Sequence, residues 1–247
     1  MTQNEAIAKL ADYLKKAKRI AVLTGAGMST ESGVPDFRSS TGIYSKTSEE
    51  VFDIYRFRRN PSDFYTTIGP VYLAMIGAEP NAGHLALHEL EMIEGKTVNI
   101  ATQNIDGLHQ RAGSTKVHEV HGTMMTLSCQ SCGRQFNGFD FLENFKAGTV
   151  AKCPICRGVM KPDITFYGES LPEEAYMSSV KAFRQCDLAI VLGTSLKVYP
   201  AAGLPDYRPE NVPLVIINRT ETDADQFADI VINGGIGEIL PAAIKQM

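Results

Sequence analysis

Four cysteines in two pairs carry the strongest chemical signal in the sequence. Cys129 and Cys132 form one C-x-x-C pair, and Cys153 and Cys156 form a second pair after twenty intervening residues. Two such pairs can supply four thiolates to a tetrahedral zinc ion, and a complete set of sulfur ligands leaves no position open for catalysis. Disulfides and free thiols are the alternatives, and the expected lack of a secretion signal disfavours disulfides. The spacing therefore predicts a structural zinc ion.

A glycine-rich stretch, GAGMSTESGVPDFRS at residues 25–39, predicts a second kind of site. It follows a short apolar run, as the phosphate-binding loop of a dinucleotide enzyme does. Its glycines fall at positions 25, 27 and 33, however, and depart from the G-x-G-x-x-G spacing of dehydrogenases. Asp36, Phe37 and Arg38 follow directly. The pattern favours a nucleotide site and makes hydride transfer the weakest interpretation of it.

Histidines are the candidates for acid–base chemistry. His121, in VHEVHGT, precedes the cysteine segment at the expected junction of two domains. A neutral imidazole at such a junction is suited to accept a proton near pH 7. His118 is an equally placed rival, and a structural role suits either residue on position alone. His84 and His88 could present one helical face to a metal, but packing or capping is the better interpretation without an acidic third ligand nearby.

Short apolar runs alternate with helical patterns and define the elements that must position these residues. Buried strands are predicted for the runs at 19–24, 97–102, 187–192, 214–218 and 229–232. Helices are predicted at 4–17, 82–94 and 172–185. This alternation predicts an α/β fold, with a doubly wound, Rossmann-like and mostly parallel sheet. Three strands end in TGAG, TQNID and GTS, and these tips should meet around one crevice.

Two segments interrupt this alternation and are predicted to build a smaller second domain. The Rossmann-like domain is assigned residues 1–35, 81–124 and 161–247, and the smaller domain, with a helical module and the zinc ribbon, residues 36–80 and 125–160. With 44% hydrophobic residues, the 247-residue chain can bury a sizeable core. A formal net charge of −4 argues against non-specific binding to nucleic acid. Since the apolar runs fall short of the ~18 residues of a membrane span, a cytoplasmic protein is expected.

Seven motifs, taken in order, resemble those of one protein family. They are GAGMSTESGVPDFRS, TQNIDGLHQRAG, EVHGT, the two C-x-x-C pairs, KPDITFYGE, GTSLKVYPAA and the IN dipeptide at 217–218. The sequence resembles the sirtuins, NAD-dependent protein lysine deacylases, over almost its whole length, and the small bacterial sirtuins in particular. The resemblance implies NAD as a co-substrate whose glycosidic bond is broken. It also implies one structural zinc ion, and acyl-lysine peptides or proteins as partners.

The resemblance further implies which residues contact NAD. Residues 25–27 and the N-terminus of a following helix would hold the diphosphate, and residues 36–38 would belong to a mobile cofactor loop. Gln103 and Asn104 would contact the nicotinamide ribose, and Asp106 the carboxamide. The whole implied set is Gly25, Ala26, Gly27, Thr30, Asp36, Phe37, Arg38, Gln103, Asn104, Ile105, Asp106, His121, Gly193, Thr194, Ser195, Asn218, Arg219 and Ile236.

His121 and Asn104 are the implied catalytic residues. The acyl-lysine oxygen would attack C1′ of the nicotinamide ribose, nicotinamide would leave, and His121 would take a proton from the ribose hydroxyls. Water would complete the transfer, and the products would be nicotinamide, free lysine and O-acetyl-ADP-ribose. The peptide would add as a strand between residues 166–169 and 196–200. The implied substrate contacts are Thr165, Phe166, Tyr167, Gly168, Glu169 and Val198.

Departures from the family pattern bear on the acyl group. Thr165 stands where sirtuins usually have an apolar residue, and Tyr167 replaces the usual Phe. Desuccinylating sirtuins carry a Tyr and Arg pair at positions that align with Ile68 and Val71. Because an unpaired buried carboxylate is costly, the sequence predicts deacetylation over desuccinylation.

Two other functions would use the same cleft. An NAD-dependent protein ADP-ribosyltransferase would transfer ADP-ribose to protein without needing an acylated lysine. A non-catalytic NAD or ADP-ribose-binding module would bind without releasing nicotinamide, and His121, Asn104 and Asp106 weigh against it. Neither direct nucleic-acid binding nor membrane binding is expected, and the sequence does not constrain the oligomeric state.

Overall fold

Strands and helices alternate along most of the chain in the computed structural model, which describes residues 1–40, 42–45 and 47–247. The strands are β1 (Arg19–Thr24), β2 (Thr97–Thr102), β3 (Val117–Glu119), β4 (Gly122–Cys129), β5 (Gln135–Asn137), β6 (Met160–Ile164), β7 (Leu188–Leu192), β8 (Leu214–Asn218) and β9 (Ile230–Asn233). The helices are α1 (Gln3–Lys16), α2 (Ile54–Arg59), α3 (Pro61–Gly77), α4 (Ala82–Glu91), α5 (Leu108–Arg111), α6 (Leu142–Ala147), α7 (Glu173–Gln185) and α8 (Ile236–Lys245).

Six of the strands form one parallel sheet with the order β3-β2-β1-β7-β8-β9. The apolar residues of β1, β7 and β8 are buried, as continuous apolar runs in a parallel sheet require. Between β1 and β7 the strand order reverses its direction. The doubly wound α/β fold is therefore confirmed, and the reversal opens a crevice at the carboxyl ends of these two strands.

Helices cover both faces of this sheet. Successive residues of β1 point to opposite faces. Val22 therefore joins the apolar cluster of Leu10 in α1 and Leu87 in α4, whereas Leu23 joins the cluster of Phe183 in α7. Burial on both sides makes the strands rigid supports for the loops that follow them.

The smaller part of the fold joins an antiparallel sheet, with the order β5-β4-β6, to helices α2, α3 and α6. Helix α3 approaches α6 so closely that a Cβ on Gly69 would clash with the carbonyl oxygen of Phe145. Aromatic rings fill the interior, and Phe64 and Phe166 lie with centroids 5.2 Å apart. The small sheet extends beyond both ends of the predicted insertion at 125–160, and the domain limits remain predictions.

Element boundaries follow the predictions closely in the large sheet. The runs at 19–24, 97–102 and 214–218 coincide with β1, β2 and β8, and the other two predicted strands begin one residue later than expected. Helix α4 ends before the predicted position 94 because Met92 caps it and a turn follows. Among the described residues, none of the helices is both long and apolar enough to cross a membrane.

Candidate active site

A cleft of about 1470 Å³ lies at the carboxyl ends of the parallel strands, where the strand order reverses. The loops after β1, β2, β7 and β8 all contribute to it, together with residues 164–171 of the smaller part of the fold. The three strand tips predicted to meet do so here. Such a position is the usual ligand site of an open α/β sheet.

Glycines form the floor of the cleft because two loops touch there through their backbones. The Gly27 amide donates to the Gly193 carbonyl at 2.8 Å, and the Gly25 amide donates to the Leu192 carbonyl at 3.0 Å. A Cβ on Gly25 would lie 2.6 Å from the Thr194 Cβ, and one on Gly27 would lie 2.8 Å from the Gly193 carbonyl oxygen. Gly193 itself has a φ of 60°, which favours glycine. The glycine spacing thus allows the loops after β1 and β7 to contact each other through their backbones.

Residues 26–32, within the glycine-rich stretch, contain no α-helix. They form two single turns of 3-10 helix, Ala26–Met28 and Thr30–Ser32, and the chain then turns at Gly33. The prediction that a helix N-terminus holds the diphosphate stays a prediction, and an α-helix is missing at this point. The cause is local: the Thr30 hydroxyl donates to the Gly27 carbonyl at 3.0 Å and Gly33 adopts a φ of 83°, so the turns cannot continue as an α-helix.

A buried polar network stands behind the loop that follows β2. The Asn104 side-chain amide donates to the Ser29 hydroxyl at 3.0 Å, and this hydroxyl donates to a carboxylate oxygen of Asp106 at 2.6 Å. The other Asp106 oxygen accepts from the Leu108 amide at 3.0 Å. Burial raises the pKa of Asp106, whereas these hydrogen bonds oppose the increase. Asn104 lines the cleft, but Asp106 and Gly25 lie behind the lining residues.

Gln103 provides a test of whether a ligand fits the cleft. Its Oε1 accepts from the Thr194 hydroxyl at 3.3 Å, which links the tips of β2 and β7. Its Nε2 is buried without a hydrogen-bond partner among the described residues. A buried, unpaired amide donor beside a glycine floor suits a ligand with hydroxyl and phosphate oxygens. The residues present therefore fit a nucleotide such as NAD.

His121 lines the cleft, and the rival His118 does not. The Nδ1 atom of His121 lies 3.1 Å from the Gln103 carbonyl oxygen. A carbonyl can only accept, so Nδ1 carries the proton and Nε2 is the free acceptor. Burial lowers the pKa of His121, and its contact with Gln103 works in the opposite direction. His118 lies within β3, in register with Ala101 of β2.

The predicted cofactor loop folds back on itself at one side of the cleft. The Tyr44 amide donates to the Phe37 carbonyl at 2.9 Å, and the Phe37 ring lies 5.8 Å from that of Phe52. Arg38 lies 3.7 Å from a carboxylate oxygen of Glu49. Thr41 and Lys46, which belong to the same predicted loop, lie outside the described residues.

The far rim of the cleft is formed by the ends of β8 and β9. The Asn218 side-chain amide donates to the Thr220 carbonyl at 2.8 Å and so closes the strand end. Arg219 lies 3.5 Å from Glu31, across the loop after β1. All four of these residues line the cleft, as do the predicted cofactor residues Ala26, Gly27, Thr30, Asp36, Ile105, Thr194, Ser195 and Ile236.

The predicted substrate residues 165–169 form a tight turn at the other side. Tyr167 pairs on one side through its backbone: its amide donates to the Phe52 carbonyl at 2.8 Å and its carbonyl accepts from Ile54 at 3.1 Å. Phe166 is buried in the aromatic core, while Thr165, Gly168 and Val198 line the cleft. Neither residues 166–169 nor residues 196–200 form a strand in this structure.

Lys161 is a buried charged residue beside the turn at 165–169 that sequence reasoning missed. It is 5% exposed, and its ammonium group lies 2.9 Å from the Glu169 carboxylate and 4.3 Å from the centre of the Phe166 ring. The same Glu169 oxygen accepts from the Phe166 amide at 2.8 Å. Glu169 was predicted to contact substrate, but its carboxylate holds the turn. A lysine directly before the substrate motif, in the short strand MKPDI, was the available signal.

The four paired cysteines come together at the end of β4, away from the cleft. Their Sγ atoms all lie within 4.8 Å of one another, with Cys129 and Cys156 at 3.4 Å and Cys132 and Cys153 at 3.8 Å. Tetrahedral coordination at 2.3 Å places sulfur atoms about 3.8 Å apart. The cluster therefore fits one structural zinc ion, as predicted. Hydrogen bonds from backbone amides, that of Cys132 first, lower the pKa of Cys129 to about 6.

Comparisons with known proteins identify the family. The Sir2 family profile matches residues 25–200. The chain belongs to the Sir2 family, the sirtuins. An NAD-dependent protein deacetylase 2 of Geobacillus kaustophilus is 42% identical to it, over 98% of each protein.

Solved sirtuin structures resemble the whole chain. A Sir2 structure with deacetylated p53 peptide and 3′-O-acetyl ADP ribose has a TM-score of 0.91 at 37% identity, and covers 100% of this chain and 98% of its own. A Sir2 structure with p53 peptide and NAD+ has a TM-score of 0.89 at 36% identity, over 97% and 98%. The sirtuin fold predicted from the seven motifs is thereby confirmed.

Proposed function

We propose that this sirtuin is an NAD-dependent protein lysine deacetylase with His121 as its general base. The observation that carries the proposal is the position of His121 in the cleft, with Nδ1 held by the Gln103 carbonyl. This contact leaves Nε2 as a proton acceptor, and burial lowers the pKa of the ring so that it is neutral at pH 7. The relative from Geobacillus kaustophilus is named an NAD-dependent protein deacetylase 2, in agreement with this chemistry.

The residues around the cleft divide the binding of NAD between them. When bound, NAD supplies an electrophilic ribose carbon and nicotinamide as the leaving group. Backbone amides of the glycine floor suit the diphosphate, and Gln103 and Asn104 suit the nicotinamide ribose. Asn218 and Arg219 suit the adenosine end. Asp106 acts from behind, because its carboxylate holds the Ser29 hydroxyl to which Asn104 is bonded.

His121 moves the proton that the acyl transfer requires. Its Nε2 accepts a proton from a ribose hydroxyl, which makes the ribose oxygen a nucleophile toward the acyl carbon. The imidazolium that forms is stabilised by the Gln103 carbonyl at Nδ1. One water molecule is consumed as the acyl group leaves the lysine nitrogen for ADP-ribose, so acyl-lysine, NAD and water give free lysine, nicotinamide and O-acetyl-ADP-ribose.

The acylated peptide adds its backbone between residues 166–169 and 196–200. Tyr167 uses its own backbone groups to pair with Phe52 and Ile54, and the neighbouring Gly168 lines the cleft, where the backbone of a partner can add. Backbone pairing gives affinity with little dependence on sequence.

We also place the protein in the cytoplasm, since its five cysteines form no disulfide among the described residues.

Nicotinamide release tests the proposal directly. NAD is supplied with and without an acetyl-lysine peptide, to the wild type, to His121→Ala and to the control His118→Ala. We expect release that needs the peptide, and a loss of about 10²–10⁴-fold in His121→Ala alone. Release without peptide would favour an ADP-ribosyltransferase, and NAD binding without release would favour a binding module. A full loss of activity in His118→Ala alone would show that His118, and not His121, is the general base.

A further inference from the structure

Two histidines outside the cleft are buried next to each other behind the tips of β1 and β2. His84 of α4 and His109 of α5 are 0% and 1% exposed, and their ring centroids lie 4.8 Å apart. Burial lowers the pKa of His84 to about 4 and, with some contribution from His84, that of His109 to about 3. Both rings are therefore neutral at pH 7, and each carries a single N–H.

Backbone contacts assign the proton of His84. The Asn81 amide donates to His84 Nδ1 at 3.3 Å, as part of the capping box that begins α4. Nδ1 is thus an acceptor, and Nε2 of the same ring carries the hydrogen. His84 Nε2 and His109 Nδ1 are both buried without a partner in the part of the chain that the structure describes. These two neighbouring rings therefore hold one buried donor and one buried nitrogen able to accept.

Hydroxyl groups continue this series toward the cleft. His109 Nε2 lies 3.0 Å from the Thr24 hydroxyl, and this hydroxyl lies 2.8 Å from that of Thr102. The backbone amide of Asn104 donates to the Thr102 hydroxyl oxygen at 3.0 Å. Thr24 and Thr102 end strands β1 and β2 and are almost completely buried. The series thus reaches the backbone of a residue that lines the cleft.

One direction of donation pairs the two facing ring nitrogens of His84 and His109. If His84 Nε2–H donates to His109 Nδ1, His109 carries its proton on Nε2 and donates to Thr24. Thr24 then donates to Thr102, which also accepts from the backbone amide of Asn104. The opposite direction would place an N–H on His109 Nδ1 and leave two buried donors in adjacent rings, which is costly.

We propose that His84, His109, Thr24 and Thr102 form a buried hydrogen-bond relay that positions Asn104 for the deacetylation reaction. The link between the two rings requires that His84 Nε2 and His109 Nδ1, each without a partner as they lie among the described residues, meet in one hydrogen bond. The relay holds the Asn104 backbone, while Ser29 holds its side chain. All four members are positioning residues, and the inference rests on the proposed function.

The same helix start also holds the glycine loop. The Asn81 side-chain amide donates to the Met28 carbonyl at 2.8 Å and to the Ser32 hydroxyl at 3.0 Å. The first turn of α4 therefore fixes the loop after β1 through Asn81 and the loop after β2 through His84. Because these loops carry the two sides of the reacting site, small displacements of either would slow the reaction more than they would weaken substrate binding.

Thr24→Val is the sharpest test, because it keeps the shape of the side chain and removes the hydroxyl. We expect kcat for the acetyl-lysine peptide to fall by roughly tenfold or more, with KM for the peptide within about twofold of wild type. Thr24→Ser should restore most of kcat. Thr24→Val combined with His109→Leu should be no slower than the slower single variant, because both break one relay.

Ser179→Ala is the matched control. Ser179 is also fully buried, and its hydroxyl donates to the Ala175 carbonyl at 2.7 Å within α7. We expect this variant to lose some thermal stability and to keep its kcat. The relay is refuted if Thr24→Val keeps wild-type kcat, or if its kcat falls no further than that of Ser179→Ala at equal loss of stability.

Nitrogen NMR shifts of the imidazole rings test the relay without any activity. We expect the Nε2–H tautomer for both His84 and His109, and a shift of the Asn104 amide signal in Thr24→Val. An Nδ1–H tautomer at His109, or an unchanged Asn104 amide, would overturn the relay even in an active enzyme. A wild type that releases no nicotinamide would instead overturn the proposed function, while these spectra would still judge the relay.

Discussion

The cleft and the cysteine cluster both gather polar side chains at strand ends, but they are held in place in opposite ways. In the cleft, an apolar parallel sheet positions amides, hydroxyls and an imidazole, and leaves several of their atoms able to bind or react. At the cysteine cluster, β5 is three residues long, and the thiols themselves must hold the chain together through a metal. The comparison teaches that a site is free to do chemistry when the apolar core, and not the site, supports the fold.

Loss of one zinc ligand should have the largest effect. Zinc binding at a structural site is worth on the order of 10 kcal/mol, comparable to the entire stability of a domain. We expect Cys153→Ser to lose zinc, to unfold the region around β4 to β6, and to abolish deacetylation. Metal analysis, circular dichroism and nicotinamide release measure the three effects.

Cys186→Ala is the control for this prediction. Cys186 is buried outside the cluster, and its thiol donates to the Phe183 carbonyl at 3.1 Å. It should keep one zinc ion per chain and normal activity. A Cys153→Ser protein that stays folded and fully active would show that the apolar core, and not the metal, supports the small sheet.

Acyl selectivity comes next in size. Ile68 is buried in the smaller core, and Val71 lines a separate cavity of about 360 Å³ with Pro35 and Pro70. A succinyl carboxylate would find no Arg and Tyr pair at these two positions, and an unpaired buried charge costs several kcal/mol. We expect kcat/KM for an acetyl peptide to exceed that for the matched succinyl peptide by about 100-fold. A higher value for the succinyl peptide would contradict the prediction.

The pH dependence of kcat/KM should report the ionisation of His121 in the free enzyme. A general base acts in its neutral form, and burial lowers the pKa of this ring below its ordinary value of 6.5. Activity should therefore be level through neutral pH and fall by about tenfold per pH unit only below the lowered pKa. The residual activity of His121→Ala should lack this decrease at low pH, which is the acidic limb of the profile. If the limb persists in that variant, another group acts as the base.

Lys161→Met should give the smallest of these effects. The change keeps the length of the side chain and leaves the Glu169 carboxylate without its ammonium partner. Since Glu169 is partly exposed, we expect a loss of about 2 kcal/mol in the free energy of unfolding. The turn at 165–169 should loosen, and KM for the peptide should rise a few-fold with little change in kcat. Lys152→Met, at an exposed position, is the control.

Much of the large sheet and of its cleft could be predicted from the sequence. The runs at 19–24, 97–102 and 214–218 are strands because their apolar residues are contiguous and bounded by polar tips, and this pattern is local. The four cysteines were equally readable, since their spacing alone fits a metal. The choice between His121 and His118 was beyond a pattern argument, because it depends on which residue reaches the cleft.

What the sequence could not provide depends on contacts between distant segments. The loop at 26–32 has glycines suited to a helix N-terminus, but its turns are set by contact with Gly193, more than 160 residues later. Lys161 acquires its role from Glu169 and from a packed ring. The histidines at 84 and 109 resemble ordinary core residues until the structure places their rings side by side.

The glycine floor has a consequence for how this enzyme can change during evolution. Gly27 and Gly193 touch main chain to main chain, and Gly25 lies against Thr194 behind them, so that each of these positions tolerates no side chain. The surface that we propose for the diphosphate therefore consists of peptide groups, which substitution can block but cannot adjust. Adaptation to another nucleotide has to come from the rim, where Asn218 and Arg219 present side chains that can be exchanged one at a time.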